Sequence, residues 1–149
     1  MVTTVGTEGR IEDLVSNLLY LEHDAIAAYD STIDKLQDPS HKQQIAAFRD
    51  DHLRHVAELE KMAGLLKIAV PQSGDLKQLL TTGKIALASL VGDGAILGAM
   101  KTNEDDTVTA YERAGRHGDA VPESRRVFES FAADERRHRA YMERASAAG

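Results

Sequence analysis

The sequence contains no cysteine. Disulfides, zinc–thiolate sites, iron–sulfur clusters and cysteine nucleophiles are therefore all excluded. Proline is scarce, and Pro39, Pro71 and Pro122 each fall between helical patterns rather than inside one. Alternating β-branched runs are missing, so little reads as strand. Residues 1–10 have no apolar core and do not read as a secretory signal. The longest apolar-rich stretch, residues 85–100, is too short to span a bilayer and contains Asp93. Basic charge is in deficit: 18 Lys and Arg against 24 Asp and Glu leave −6, which argues against nucleic acid as a partner. The 149 residues, 42% hydrophobic and 28% charged, suit one globular domain. A chain of this size buries about 68–70% of its unfolded surface. The expectation is a single cytoplasmic domain over residues 1–149 with no membrane partner.

What is present is helical periodicity. The spacing predicts a first helix over residues 8–37, on a stripe that includes Leu14, Leu18, Ala25, Tyr29 and Leu36. Asp38-Pro39 stops it, and Ser40 with Gln43 reads as a capping box for a second helix ending at Leu66. A third is expected from Asp93, as N-cap after Gly92, to Gly115, and a fourth from Pro122 to near the C-terminus. Short loops make two antiparallel hairpins, residues 8–66 and 93–147. Residues 67–92 form a long crossover with a shorter helix inside it. This is an all-α four-helix bundle with one crossover.

The hairpins repeat each other. Glu22 and Tyr29 recur as Glu104 and Tyr111, at an offset of 82 residues. Phe48, Asp51, His52 and His55 recur as Phe131, Asp134, Glu135 and His138, at an offset of 83. A duplicated hairpin implies a pseudo-twofold axis, and a site on that axis receives like residues from both halves.

The informative residues are those that break the apolar stripes. Glu22 falls on the first stripe, His52 and His55 on the second, Glu104 on the third, and Glu135 and His138 on the fourth. Glu22 and His55 are equidistant from the Asp38-Pro39 turn, and Glu104 and Glu135 from the 115–121 loop, so all six share one layer. A buried carboxylate without a partner is very costly. Three glutamates with three histidines are relieved most simply by metal cations; a metal-free network of ion pairs is the alternative. Ligating histidines must be neutral, so metal is expected to leave as pH falls from about 6.5 to 4.

Glu22, the histidine pair on the second helix, Glu104 and Glu135-x-x-His138 resemble the ferritin-like di-iron carboxylate proteins of bacterioferritin and rubrerythrin type. Those carry one Glu on each of two helices and Glu-x-x-His on each of the other two. The likeness covers nearly the whole chain and is closest to small bacterial ferritin-like proteins of unassigned function. It implies that Asp51 and Asp134 hydrogen-bond metal-ligating histidines and that Tyr29 and Tyr111 lie near the metals. It also implies iron, one or two ions with manganese as the alternative, and redox chemistry with oxygen or peroxide, such as ferrous oxidation. Without cysteine, a rubrerythrin-like electron path needs a separate donor protein. Only four residues follow the fourth helix, so a mineral-storing cage is not expected.

One position departs from the family pattern. His52 stands where a bridging Glu is expected, and a neutral imidazole has one free lone pair, so it holds one metal and cannot bridge two. Two divalent ions bring +4 against −3 from three glutamates, where the full set brings −4. A helical binding or scaffold protein with a degenerate site is the competing reading. Arg136, Arg137 and Arg139 read as a solvated face, and Gly92, Gly94 and Gly98 as a helix boundary rather than a phosphate loop. A homodimer is expected through the apolar crossover residues Ile85, Leu87, Leu90 and Val91.

Overall fold

The computed structural model describes residues 3–72 and 87–148. Four helices account for most of them: α1 (Ile11–Lys35), α2 (Pro39–Leu66), α3 (Asp93–Gly115) and α4 (Pro122–Ala148). No strand occurs among the described residues. The two helices of each hairpin pack on one another, α1 also meets α3, and α2 meets α4. The fold is an all-α helix bundle.

Helix ends differ from expectation: α1 stops at Lys35 rather than residue 37, and three further differences have a visible cause or cap. Helix α1 starts at Ile11 rather than residue 8, with Arg10 its extended N-cap; the Glu8 carboxylate accepts from Gly6 N at 2.7 Å before the helix and from Asn17 Nδ2 within it at 2.8 Å. The cap of α2 is Asp38, not a Ser40–Gln43 box. Its carboxylate accepts from Ser40 N at 2.8 Å, and Pro39 takes the first helical position, where its missing N–H costs nothing. Asp93 is the first residue of α3 and Gly92 its cap, at φ +90°. That leaves the Asp93 carboxylate free to accept from Gln37 N at 2.9 Å and Asp38 N at 3.0 Å, tying the α1–α2 turn to the start of α3.

The expected short crossover helix, so far as it concerns residues 73–86, lies outside the described residues, as does Ile85. Leu87 is buried and Leu90 packs against the core, so both turn inward; Val91 is exposed. Among the described residues, no helix is long and apolar enough to cross a membrane.

The core has two apolar parts. One contains Leu14, Leu18, Leu59, Tyr111, Phe128 and Phe131, and the other Tyr29, Ile45, Phe48, Leu97, Met100 and Met142. Fully burying each large apolar side chain contributes roughly 1.5–3 kcal/mol. The residues between these parts on all four stripes are the polar ones.

Candidate metal centre

Side chains three and four apart share a helix face, so His52 and His55 on α2 enter the core together, as do Glu135 and His138 on α4. Glu22 and Glu104 enter singly from α1 and α3. All six are at most 1% exposed. An effective penalty of several kcal/mol per buried ion makes their mutual arrangement decisive.

They form two sets of four. Glu22, His52, His55 and Glu135 make one; His52, Glu104, Glu135 and His138 make the other, with ligand atoms in each set within 4.8 Å of one another. Glu135 and His52 belong to both. Glu135 Oε1 faces His55 Nδ1 at 3.3 Å, while its Oε2 faces His138 Nδ1 at 3.5 Å. His52 Nδ1 lies 2.7 Å from Glu22 Oε2 and 3.6 Å from Glu135 Oε1, while its Nε2 faces Glu104 Oε1 at 3.6 Å.

The supporting contacts cross between halves. Asp134 on α4 accepts from His55 on α2 at 2.9 Å, and Asp51 on α2 accepts from His138 on α4 at 2.8 Å. Tyr29 on α1 donates to Glu104 on α3, and Tyr111 on α3 donates to Glu22 on α1, each at 2.5 Å. The Phe131 ring stacks on His55 with centroids 3.9 Å apart, and Phe48 stacks on His138 at 4.3 Å. Each aspartate takes the Nε2 proton and leaves Nδ1 directed at the carboxylates. This is the arrangement that fixes the tautomer of a ligating histidine.

Three contributors lie outside the sequence reading. Arg54 donates to Asp134 at 2.8 Å and Asp51 at 3.3 Å, and Arg137 to Asp51 at 3.0 Å and Asp134 at 3.1 Å. Arg137 is therefore not simply part of a solvated face: it helps close the α2–α4 side over the site. Arg54 and Arg137 stand 83 residues apart, the offset of the repeat, and that was the available signal. Thr107 lies 2.9 Å from both Glu104 Oε2 and Glu135 Oε2. Its place three residues after Glu104 was the only clue.

The electrostatics split the glutamates. Burial alone raises a carboxyl, but His52 and His55 outweigh it at Glu22, and Glu22 is held well below the usual range. Glu104 is also lowered against burial, by its contacts with the Glu135 carboxyl, His138 and His52. Glu135 is raised, by burial and then by the Glu104 charge. A hydroxyl has one proton to donate, and Thr107 has three acceptors within reach of it: the Glu104 carbonyl, Glu104 Oε2 and Glu135 Oε2. Burial opposes charge on the histidines, yet the acidic partners prevail. His52 is well above its ordinary value, His55 is pushed up to about 10 and His138 to about 9.

Two buried polar atoms here, His52 Nε2 and Glu135 Oε1, have no hydrogen-bond partner among the described residues. Both belong to residues shared by the two sets. Buried polar atoms are rarely left unpaired, and carboxylate oxygen and imidazole nitrogen are the donors that iron, manganese and zinc accept. The cluster can hold a metal ion.

A family model described as "Domain of unknown function (DUF2383)" matches residues 10–117, well over half of the chain. The match includes Glu22, His52, His55 and Glu104 and ends before α4. No curated protein and no solved structure matches the chain.

Proposed function

The chain belongs to the DUF2383 family, and from the centre in its core we propose that it is a non-haem metal-binding protein of ferritin-like, di-iron carboxylate type. Iron is the favoured metal and manganese the alternative. The observation that carries the reading is the pair of orphaned buried atoms, His52 Nε2 and Glu135 Oε1, inside a layer of six ionisable groups. Bound iron supplies one-electron chemistry toward oxygen or peroxide, with ferrous oxidation as the expected form.

The chain's own residues prepare the site for that role. Glu22 and His55 offer donors to one set, Glu104 and His138 to the other, and Glu135 presents one oxygen to each. Asp134 and Asp51 hold the Nε2 protons of His55 and His138. Tyr111 and Tyr29 each occupy one oxygen of Glu22 and Glu104, fixing the carboxylate planes. The apolar core on either side excludes water, which strengthens every charge–charge interaction inside. Electrons arrive from a separate donor protein, and the chain self-associates as a homodimer; light scattering checks the latter.

A second reading has its own observation. With three histidines protonated, +3 balances −3 from the glutamates, so the layer also stands as an ion-pair network in a helical binding or scaffold protein.

Metal analysis of protein purified without added metal, followed by anaerobic titration with ferrous and then manganous ion, separates the two. The metal reading expects uptake of at least one ion per chain and oxygen- or peroxide-dependent oxidation of bound ferrous ion. No uptake of either ion leaves the scaffold reading in its place.

A further inference from the structure

We propose that His52 bridges two metal ions as an imidazolate, one ring nitrogen on each. This inference rests on the metal-binding reading above. The carrying observation is directional: Nδ1 faces Glu22 and Glu135, whereas Nε2 faces Glu104 and has no hydrogen-bond partner among the described residues. A terminal ligand needs one nitrogen in the site and normally hands the other to an acceptor, as His55 does to Asp134 and His138 to Asp51. Among the described residues, His52 has no such outer partner. Both of its nitrogens point inward, toward different ligand sets.

Charge gives an independent reason. A neutral imidazole leaves two divalent ions with −3 from three glutamates. Exchanging the one remaining ring N–H for the second ion releases that proton to solvent and leaves the ring at −1. The ligand total becomes −4, the charge that a Glu at this position would have supplied. Position 52 thus keeps the bridging role with a different donor, opposite the Glu135 carboxylate, which also presents one atom to each set.

Copper(II) is the probe, because imidazole binds it well and two copper spins couple through a shared ring. The native chain is expected to take up two copper ions whose resonance signal integrates to well below the bound copper. Metal–nitrogen bonds of about 2.0–2.1 Å leaving opposite sides of one ring place the ions about 6 Å apart, against roughly 3.5–4 Å in ordinary two-metal sites. Half-field resonance intensity or X-ray absorption reads that distance, and a separation of 3.5–4 Å overturns the bridge. Replacing His52 by Nδ1-methylhistidine or by Nε2-methylhistidine blocks one nitrogen at a time. A bridge loses coupling with either isomer, and a terminal ligand tolerates one of them, which would sink the proposal. If both replacements disturb the fold by circular dichroism, the native-chain distance decides alone. A native chain that binds only one copper ion also overturns the bridge, whereas uptake of no copper, ferrous or manganous ion defeats the metal reading itself.

Discussion

Asp134 on α4 accepts the Nε2 proton of His55 on α2 at 2.9 Å, so a residue of the second hairpin aims a donor of the first. Asp134→Asn keeps the shape and removes the charge. Metal affinity is expected to fall about 10–100-fold with helicity unchanged. Anaerobic titration with ferrous ion measures it. An affinity equal to wild type means that Asp134 serves only the surface arginines.

Two isosteric substitutions in one layer are expected to act in opposite directions on the metal-free protein. Glu135 is raised by burial and by Glu104, so the neutral amide of Glu135→Gln relieves both effects. Its melting temperature stays level or rises, while metal uptake is lost. Glu22 is held ionised by two histidines, and Glu22→Gln removes the carboxylate nearest to the Nδ1 of each, leaving only more distant or shared acidic neighbours on that side. Removing one member of a buried pair costs about 3–5 kcal/mol. Thermal unfolding of both variants, without metal, tests the contrast.

The pH dependence follows from the raised histidines. His55 at about 10 and His138 at about 9 bind protons more tightly in the metal-free fold than in the unfolded chain. The stability they contribute is fully present below about pH 6.5. It declines as pH rises through 9 to 10, so the metal-free melting temperature falls across that range. Metal must expel these protons, so affinity rises with pH over the same range and uptake at pH 7 acidifies a weakly buffered solution. The competition therefore begins above the pH 6.5 to 4 window expected from unperturbed groups. Affinity that is flat from pH 7 to 10 would show that both rings are already neutral.

Tyr29 and Tyr111 are pushed well above their ordinary range, by burial first and then chiefly by Glu104 and Glu22 respectively. In an alkaline titration of the metal-free protein, phenolate absorbance is expected to account for at most two of the four tyrosines while far-ultraviolet dichroism stays helical. A third tyrosine ionising before the helices melt contradicts the geometry of these two hydrogen bonds.

The four helices and the layer of six were legible because both follow from periodicity. Glu22 interrupts a stripe of leucines and alanines, and a turn of known position fixes its height. The cap at Asp38 was missed because Ser40 and Gln43 satisfy the capping-box pattern, while a competing acceptor one residue before Pro39 outranks it locally. Thr107 was not legible: its counterpart at the repeat offset is Ala25, so the duplication gave no warning of a hydroxyl between Glu104 and Glu135. The orientation of the His52 ring was equally hidden, because spacing says which residue enters the core and not where its two nitrogens point.

The crossed supports bear on how such a centre can arise. Asp51, Tyr29 and Phe48 all serve ligands of the other hairpin, and Asp134, Tyr111 and Phe131 return the service. A lone hairpin of this kind keeps contacts such as Glu22 with His52 and His55 but lacks the Asp, Tyr and Phe supports that cross from the other half, so a paired copy of itself is what completes the centre. In that pair, symmetry makes the two bridging positions the same residue. Fusing the copies into one chain removes the constraint. Only then can one bridging position be His52 and the other Glu135, so the asymmetry of the centre is a freedom that belongs to the joined polypeptide.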